Sequence, residues 1–348
     1  MHGVVGLLTR PAGDPPRFGP ISAWHGVVRP TGVKRMGRQP RNGRQTPILA
    51  RRLLAVVVLC GAEWLRTAPP VGAALPDISG MAWMGGDRFL AVHDRKQGGD
   101  SDRPHISLLR PAAVRGRWER QALPVRWPGP QGPGHDLESV ARIPDRQELL
   151  LVESGDDGGD LRRIFHARLG TQGLELVGSL PWPHRVLNVE GSAVARVDDR
   201  LIFLYAERAH GRSTTRIRWA DLQLEPLRLG SFREVPFTSP GPEGPHRRPI
   251  TALEVDRDGQ VYVASAIDPG SDDGPFRSMV WRIGRIRVSS PNGPQLVLDP
   301  TPTRLVHLKR SKVEALAIRE TEVGTPELVV GVDNETSGGK IRQLPLNP

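Results

Sequence analysis

The sequence predicts an all-β fold, a β-propeller of five blades with four antiparallel strands in each blade. The chain has 348 residues, and its 39 Gly and 34 Pro are spread along it, which suits many short strands joined by turns. One pattern, an apolar run, a short turn and a second apolar run, recurs five times at intervals of 52 to 63 residues. Such a period indicates one supersecondary unit per repeat, and the propeller blade is an all-β unit of this kind.

Each repeat opens with two strand-like runs. The five repeats cover residues 78–94, 137–154, 189–208, 250–268 and 313–333, and their second positions are Ser79, Glu138, Glu190, Thr251 and Glu314. In the fourth repeat, Asp256-Arg257-Asp258-Gly259 is a hairpin turn between the two runs. We therefore expect these runs to be the first and second strands of each blade.

Further runs supply the outer strands. They cover residues 105–109 and 118–125, 163–169 and 174–180, 215–220 and 231–237, and 278–283 and 295–298. All are short, rich in β-branched or aromatic residues, and bounded by Gly, Pro or Asp. Residues 304–308 extend or add a strand, and a sixth blade fits if residues 284–311 contain one. The last repeat shows three strands, so we expect residues just after Ala74 to close the ring. A two-sheet sandwich is the alternative, but it does not predict an acid recurring at a fixed phase.

Residues 1–73 form a leader of different composition. They hold eleven Lys and Arg against two acids, whereas the remainder has 37 basic and 36 acidic residues. Residues 1–46 lack periodicity, which is typical of a disordered or untranslated segment, and Met36 is an alternative start. Residues 47–73 match a signal peptide, with an apolar run at 53–60 and a small residue, Ala73, at the cleavage site. We expect residues 74–348 to be exported to the periplasm or cell exterior; a retained N-terminal membrane anchor is the alternative.

Composition also excludes several classes of function. The basic charge lies in the leader, so the folded body lacks the basic surface of a nucleic-acid binder. The run 53–60 is shorter than the roughly 20 residues that a membrane span needs. The sole cysteine, Cys60, lies in the leader, which removes disulfides, thiolate zinc sites and a Cys nucleophile from the body. No nucleophile elbow or P-loop motif occurs.

The propeller geometry predicts a carboxylate-rich site at one end of the central channel. The first strand of each blade lines the axis and the second runs back beside it, so the start of one and the end of the other share a face. We therefore expect the following acids to meet at one rim, with His93 beside them: Glu138, Glu190, Glu314, Asp94, Glu153, Glu207, Asp268 and Asp333.

Such a cluster needs compensation. Two like charges about 4 Å apart repel by roughly 4 kcal/mol at an effective dielectric of 20, so protonation, Lys and Arg neighbours, or a metal must offset them. Oxygen donors without Cys favour Ca²⁺, with Mg²⁺ as a second choice. The metal hypothesis names Glu138, Glu190, Glu314 and Asp333 as ligands; acids that only hold turns or pair with Arg are the alternative.

Cations at the same rim suggest an anionic substrate. Arg208, Arg277 and Lys312 lie close to the ends of the predicted strands. A metal with Arg and Lys can neutralise a phosphoryl ester in its transition state. In that hypothesis His93, Glu153 or Glu207 serves as the catalytic base and the three cations bind a small anionic substrate.

The order of several short motifs resembles a known family. They are DISGMAW with FLAVHD, DLES with LLLVESG, NVEGSAV with LIFLYAER, SAIDPGSDDGPFRS, and VEALA with LVVGVDN, spanning about residues 75–340. The chain resembles the secreted bacterial and cyanobacterial propellers known as phytase-like or "esterase-like activity of phytase" proteins. The resemblance implies phosphoester or related ester hydrolysis, with Glu138, Glu190, Glu314, Glu153 and Glu207 at the family's acidic positions. Ser79 and Thr251 stand where further acids would complete the ring, and Ser139 stands where the family has Gly.

Together these observations predict an exported propeller that is a Ca²⁺-dependent hydrolase of phosphoesters or related esters. The alternative is a non-catalytic propeller of the cell envelope that binds a ligand or partner, because propellers host both kinds of function.

Overall fold

A computed structural model describes residues 75–93, 106–127, 133–155, 162–209, 211–271, 274–288, 293–321, 325–333 and 338–346. The predicted disordered segment and signal peptide lie outside these residues, as does Asp94. Within the described part of the chain, all regular structure is strand. No described segment forms a helix with the length and apolar character that a membrane crossing requires.

The strands form five antiparallel sheets that follow one another along the chain. The first sheet contains β1 Gly80–Trp83, β2 Phe89–Val92, β3 Ile106–Pro111 and β4 Trp118–Ala122. The second contains β6 Leu137–Arg142, β7 Glu148–Glu153, β8 Arg163–Gly170 and β9 Gly173–Pro181, with β5 Val125–Arg126 added in parallel to β9. The third contains β10 Val189–Val197, β11 Arg200–Glu207, β12 Thr214–Leu224, β13 Leu227–Leu229 and β14 Arg233–Thr238. The fourth contains β15 Arg247–Val255, β16 Gln260–Ile267, β17 Arg277–Val288 and β18 Pro294–Lys309. The fifth contains β19 Val313–Arg319, β20 Glu327–Val332 and β21 Lys340–Pro345.

The arrangement is a five-bladed β-propeller, as the repeat spacing predicts. The first strands β1, β6, β10, β15 and β19 contact one another in a closed ring around the axis. The two-sheet sandwich is therefore wrong. The sixth blade is also absent from residues 284–311 as far as the structure describes them, because β17 and β18 pair as one long hairpin within the fourth blade.

Apolar side chains fill each of the five seams between blades. One buried cluster joins each neighbouring pair of blades, and the fifth cluster joins the last blade to the first through Ile78, Met81, Ala315 and Val329. Gly339 donates its N–H to the carbonyl of Leu75 at 2.8 Å. The residues after Ala74 thus reach the last blade, as the expected closure requires, through one isolated bridge rather than a full strand.

The inner strands all run in the same direction along the axis. Each begins near the second position of its repeat, which is an acid in three blades and Ser79 or Thr251 in the other two, and ends at the other end of the channel. Small residues let these strands approach: a Cβ placed on Gly191 would lie 2.5 Å from the backbone nitrogen of Leu253. The fold therefore presents two axial mouths, which we call the acidic mouth, at the strand starts, and the opposite mouth, at the strand ends.

Candidate functional site at the acidic mouth

Three inner strands carry the same irregularity at their recurring acid. The pairing register skips one residue between Leu137 and Ser139, between Val189 and Gly191, and between Val313 and Ala315. The skipped residues are Glu138, Glu190 and Glu314, so each is the extra residue of a β-bulge. A bulge turns its extra side chain away from the regular alternation. The same local device therefore aims three carboxyl groups at one region, and all three are buried.

Arg208 lies among these three acids. It follows the second strand of the third blade directly, and its guanidinium Nε donates to the Oε1 of Glu190. Burial opposes the charge of Arg208, but Glu190, Glu138 and Glu314 outweigh burial and raise its pKa. One guanidinium therefore compensates carboxyl groups from three blades.

Lys312 gathers a second set of acids. Its Nζ lies 2.9 Å from Asp333, 3.0 Å from Glu314 and 3.4 Å from Asp268. Arg248 reaches two of the same groups, at 2.5 Å from Asp268 and 3.5 Å from Glu314. All of these side chains are buried, so ion pairs rather than water stabilise their charges.

One carboxyl group of the two sets has a strongly raised pKa. Burial raises the pKa of Glu314 well above its usual range, and Asp333 and Glu190 add to this effect against the attraction of Lys312. A hydrogen bond joins the carboxyl groups of Glu314 and Asp333. Asp268 behaves in the opposite way: burial disfavours its charge, but Arg248 and Lys312 outweigh burial and lower its pKa. An acid with a raised pKa and an acid with a lowered pKa thus lie side by side, and shifted pKa values of this kind are frequent in functional sites.

The donor set as it stands fits a calcium ion poorly. The ammonium of Lys312 occupies the place among Asp268, Glu314 and Asp333 that a cation would take. Among the described residues, no three His, Cys, Asp or Glu side chains are grouped so that they could hold a metal ion. Calcium or magnesium binding by Glu138, Glu190, Glu314 and Asp333 stays a prediction.

Glu153 and Glu207 lie near the acidic mouth but face away from the axis. Glu153 pairs in register with Leu137 and accepts hydrogen bonds from both ends of the Arg163 guanidinium, at 2.7 and 3.1 Å. Glu207 accepts from the backbone N–H of Leu187 at 3.0 Å and lies 3.4 Å from Arg218. Asp268 and Asp333 come one residue after their strands, whereas Glu153 and Glu207 are the last residues of theirs. Because side chains alternate along a strand, this single step reverses the side on which the carboxyl group lies.

His93 follows β2 directly, as Asp268 and Asp333 follow their strands, and Arg277 begins β17. The His93 Nδ1–H donates to the carbonyl of Asp77 at 2.6 Å, and its Nε2 accepts from the Ser107 hydroxyl at 2.9 Å. Both ring nitrogens are therefore engaged. Arg277 is exposed and donates to the carbonyl of Glu243 at 3.0 Å.

Sequence reasoning missed a group of polar residues at the opposite mouth. Trp83, Arg142, Glu254 and Glu320 lie at or just after the ends of inner strands and line a cavity of about 490 Å³. Residues at equivalent positions in the five repeats differ in type here, so the repeat pattern does not identify this group. The sequence feature that could have identified the group is a charged or aromatic residue near the end of each predicted inner strand.

No protein-family profile matches the sequence, and no curated protein does. Solved structures with a similar architecture include a thermostable family-43 glycoside hydrolase, at 14% identity and a TM-score of 0.47 over 81% of this chain and 93% of that chain. An α-L-arabinanase mutant from Cellvibrio cellulosa is 15% identical over 79% and 93% of the two chains, with a TM-score of 0.45. A GH43_1 enzyme from Xanthomonas citri is 17% identical over 81% and 92%, with a TM-score of 0.42.

These likenesses concern architecture and carry neither substrate nor catalytic residues to this chain. They do correct one expectation. The resemblance to phytase-like propellers is wrong, because the similar solved structures are glycoside hydrolases and no family profile places the chain with phytase-like proteins.

Proposed function

We propose that this propeller is a hydrolase of glycosidic bonds with its reaction centre at the acidic mouth. The observation that carries the proposal is the buried carboxyl group of Glu314 beside ion-paired carboxylates, where burial raises its pKa. Cleavage of an acetal needs a carboxylic acid that is protonated at working pH and a second carboxylate that is not. The buried Glu314 supplies the first of these groups.

The roles follow from burial and position. Glu314 donates its proton to the glycosidic oxygen as the bond from that oxygen to the anomeric carbon breaks. A water molecule attacks the anomeric carbon and gives its proton to a carboxylate, so the products are a hemiacetal and an alcohol. Glu138 is the candidate base, because it is the most exposed of the three bulged acids, at 9% against 4% for Glu314 and 2% for Glu190. Arg208 holds the charge of the base through its coupling to Glu138.

A neutral substrate suits this mouth better than the phosphoester that the sequence favoured. Arg208, Arg248 and Lys312 each contact one or more carboxylates, so binding a phosphate dianion would require breaking buried ion pairs. Removing one partner of such a pair costs about 3–5 kcal/mol.

Hydrolysis of aryl glycosides by the purified full chain tests the proposal. The panel contains pyranosides and furanosides of both anomers, each with p-nitrophenol and with the more acidic 2,4-dinitrophenol as leaving group. We expect Glu314→Gln to lower kcat on the p-nitrophenyl substrates by about 10²- to 10⁴-fold, the usual contribution of a general acid. The loss on dinitrophenyl substrates should be much smaller, because that leaving group departs without a proton.

Glu148→Gln is the matched control. Glu148 is also a buried, ion-paired carboxylate, bound to Arg168 at 3.0 Å, but it begins β7, at the end of the second blade that is farther from the acidic mouth. It should leave the ratio of rates on the two leaving groups unchanged. An inactive wild-type protein across the panel, or equal losses on both leaving groups for Glu314→Gln, would refute the proposal.

A non-catalytic binding propeller is the second candidate. The observation that favours it is the burial of the central ion pairs, since Lys312 and Glu314 are each only 4% exposed. Inactivity of the folded wild-type protein on every substrate, with normal melting, would favour this candidate.

A further inference from the structure

The cavity at the opposite mouth has the size and position of a ligand site. Its volume is about 490 Å³, within the usual range for small-molecule sites. Val194, Val255 and Ile318 contribute apolar wall, and Trp83 contributes an aromatic edge. From Glu314 to Glu320 the strand advances by about 20 Å, so this cavity is separate from the reaction centre proposed above.

Three arginines and five acids line the cavity. Arg196 pairs with Asp145 at 3.0 Å, and Arg257 lies 3.7 Å from Glu320. Burial raises the pKa of Glu254 to about 8, and Asp256 and Glu320 add to the effect. Glu254 is therefore mostly neutral near pH 7. With Glu254 neutral, four acids face three arginines, so the wall repels an anion and offers a cation little net attraction.

Two wall groups lack hydrogen-bond partners within the described structure. The Nε of Arg142 and the Oε2 of Glu320 are both buried and lack a hydrogen bond, and the Arg257 Nε lies 3.7 Å from that Oε2, beyond hydrogen-bond distance. The Arg142 guanidinium stacks over the Trp83 ring at 5.0 Å, which fixes its plane. One group requires an acceptor and the other requires a donor, and such orphaned groups in native structures call for an explanation.

We propose that the opposite mouth binds a neutral, polyhydroxylated ligand of mono- to disaccharide size. Hydroxyl groups donate and accept, so one molecule can serve both Arg142 and Glu320 and also bond the protonated carboxyl of Glu254. The ligand adds no charge to a wall whose net charge is small. The inference does not depend on the proposed hydrolysis, because a non-catalytic propeller would offer the same cavity.

Saturation-transfer NMR with the full chain tests this inference. The probes are glucose, sucrose and maltose, with citrate and spermidine as anionic and cationic comparisons. We expect signals from at least one saccharide and weaker signals from both charged probes. Arg142→Met and Glu320→Gln should each weaken saccharide binding about tenfold, the effect of losing one buried hydrogen bond to a charged group.

The variant Glu314→Gln distinguishes saccharide binding at the opposite mouth from binding at the acidic mouth. Saccharide binding that survives Glu314→Gln and weakens in Arg142→Met or Glu320→Gln supports the inference, whether or not the protein hydrolyses anything. Binding lost in Glu314→Gln but kept in both cavity variants would place the ligand at the acidic mouth and overturn it. Stronger binding of citrate or spermidine, or no binding of any saccharide, would also overturn it. Melting curves identify a variant that has failed to fold, and the other cavity variant then decides the outcome.

Discussion

Glu153 is a buried acid whose carboxylate accepts several structural hydrogen bonds. It accepts from the Arg163 guanidinium twice and from the backbone N–H groups of His135 and Arg163, at 2.9 and 2.7 Å. The two side chains are only 1% and 5% exposed. Four hydrogen bonds tie the end of β7 to the start of β8 and to the segment before β6. Glu153 therefore works as a joint between strands.

Replacement of Arg163 by Met should destabilise the protein strongly. It leaves the buried Glu153 carboxylate without its cation, and breaking a buried pair in this way costs about 3–5 kcal/mol. Arg110→Met is the matched control, because Arg110 and Glu119 form a pair that is 40% and 39% exposed, and exposed pairs contribute about 0–1 kcal/mol. Urea denaturation of the two variants measures the difference. Equal losses would show that burial does not set the strength of these pairs.

Glu314 should make the stability of the fold depend on pH. Its pKa in the folded state is raised, so the folded chain holds a proton that the unfolded chain releases above about pH 4.3. The stabilisation is therefore complete below the unfolded pKa and is lost as pH rises through the folded pKa, by about 1.4 kcal/mol per pH unit within that window. Urea midpoints of wild type and Glu314→Gln at several pH values should diverge, with the wild type losing more as pH rises. Parallel curves would contradict the assignment of the proton to Glu314.

At the scale of elements, the repeat spacing predicts the blades well but not the register inside them. The order of apolar runs fixes which strands pair, since each blade is a local meander. The apolar pattern does not fix which residue pairs with the start of each inner strand, so the sequence aligns Glu153 and Glu207 with Asp268 and Asp333. The pairing places them one step earlier. Side-chain direction, and hence the choice of acids at the axis, depends on that step.

Close packing of inner strands explains the glycine after the bulged Glu190. A Cβ on Gly191 would lie 2.5 Å from the nitrogen of Leu253 and 2.8 Å from the carbonyl carbon of Ala252. These are backbone atoms of the next blade, which cannot move aside singly. We expect Gly191→Ala to cost about 1–3 kcal/mol, the usual range for overpacking.

Gly178→Ala is the control for that substitution. Gly178 lies in β9, where a Cβ would meet nothing within 4 Å. It should be neutral or slightly stabilising, because alanine restricts the unfolded chain more than glycine. Differential scanning calorimetry of both variants tests the pair. A harmless Gly191→Ala would contradict close packing between the inner strands of the third and fourth blades.

At the scale of the whole molecule, stability depends on closure of the ring. Each blade packs only against its two neighbours, and the last seam joins elements more than 200 residues apart. Ile78 is fully buried in that seam, and its Cγ2 lies 2.8 Å from where a Cβ of Gly331 would be. The missing side chain at Gly331 thus leaves room for Ile78 between the first and fifth blades.

Ile78→Ala should weaken the whole ring rather than one blade. Removing a fully buried aliphatic side chain costs about 2–5 kcal/mol, and the apolar clusters at the other seams cannot replace a contact between the chain ends. Because the ring is closed, we expect one transition in urea, with a lower midpoint and an unchanged slope, seen alike by tryptophan fluorescence and circular dichroism. Val297→Ala, at a site that is 40% exposed, should shift the midpoint little. Two separate transitions in Ile78→Ala would show instead that the blades unfold independently, and that the seam between the first and last blades is not what couples them.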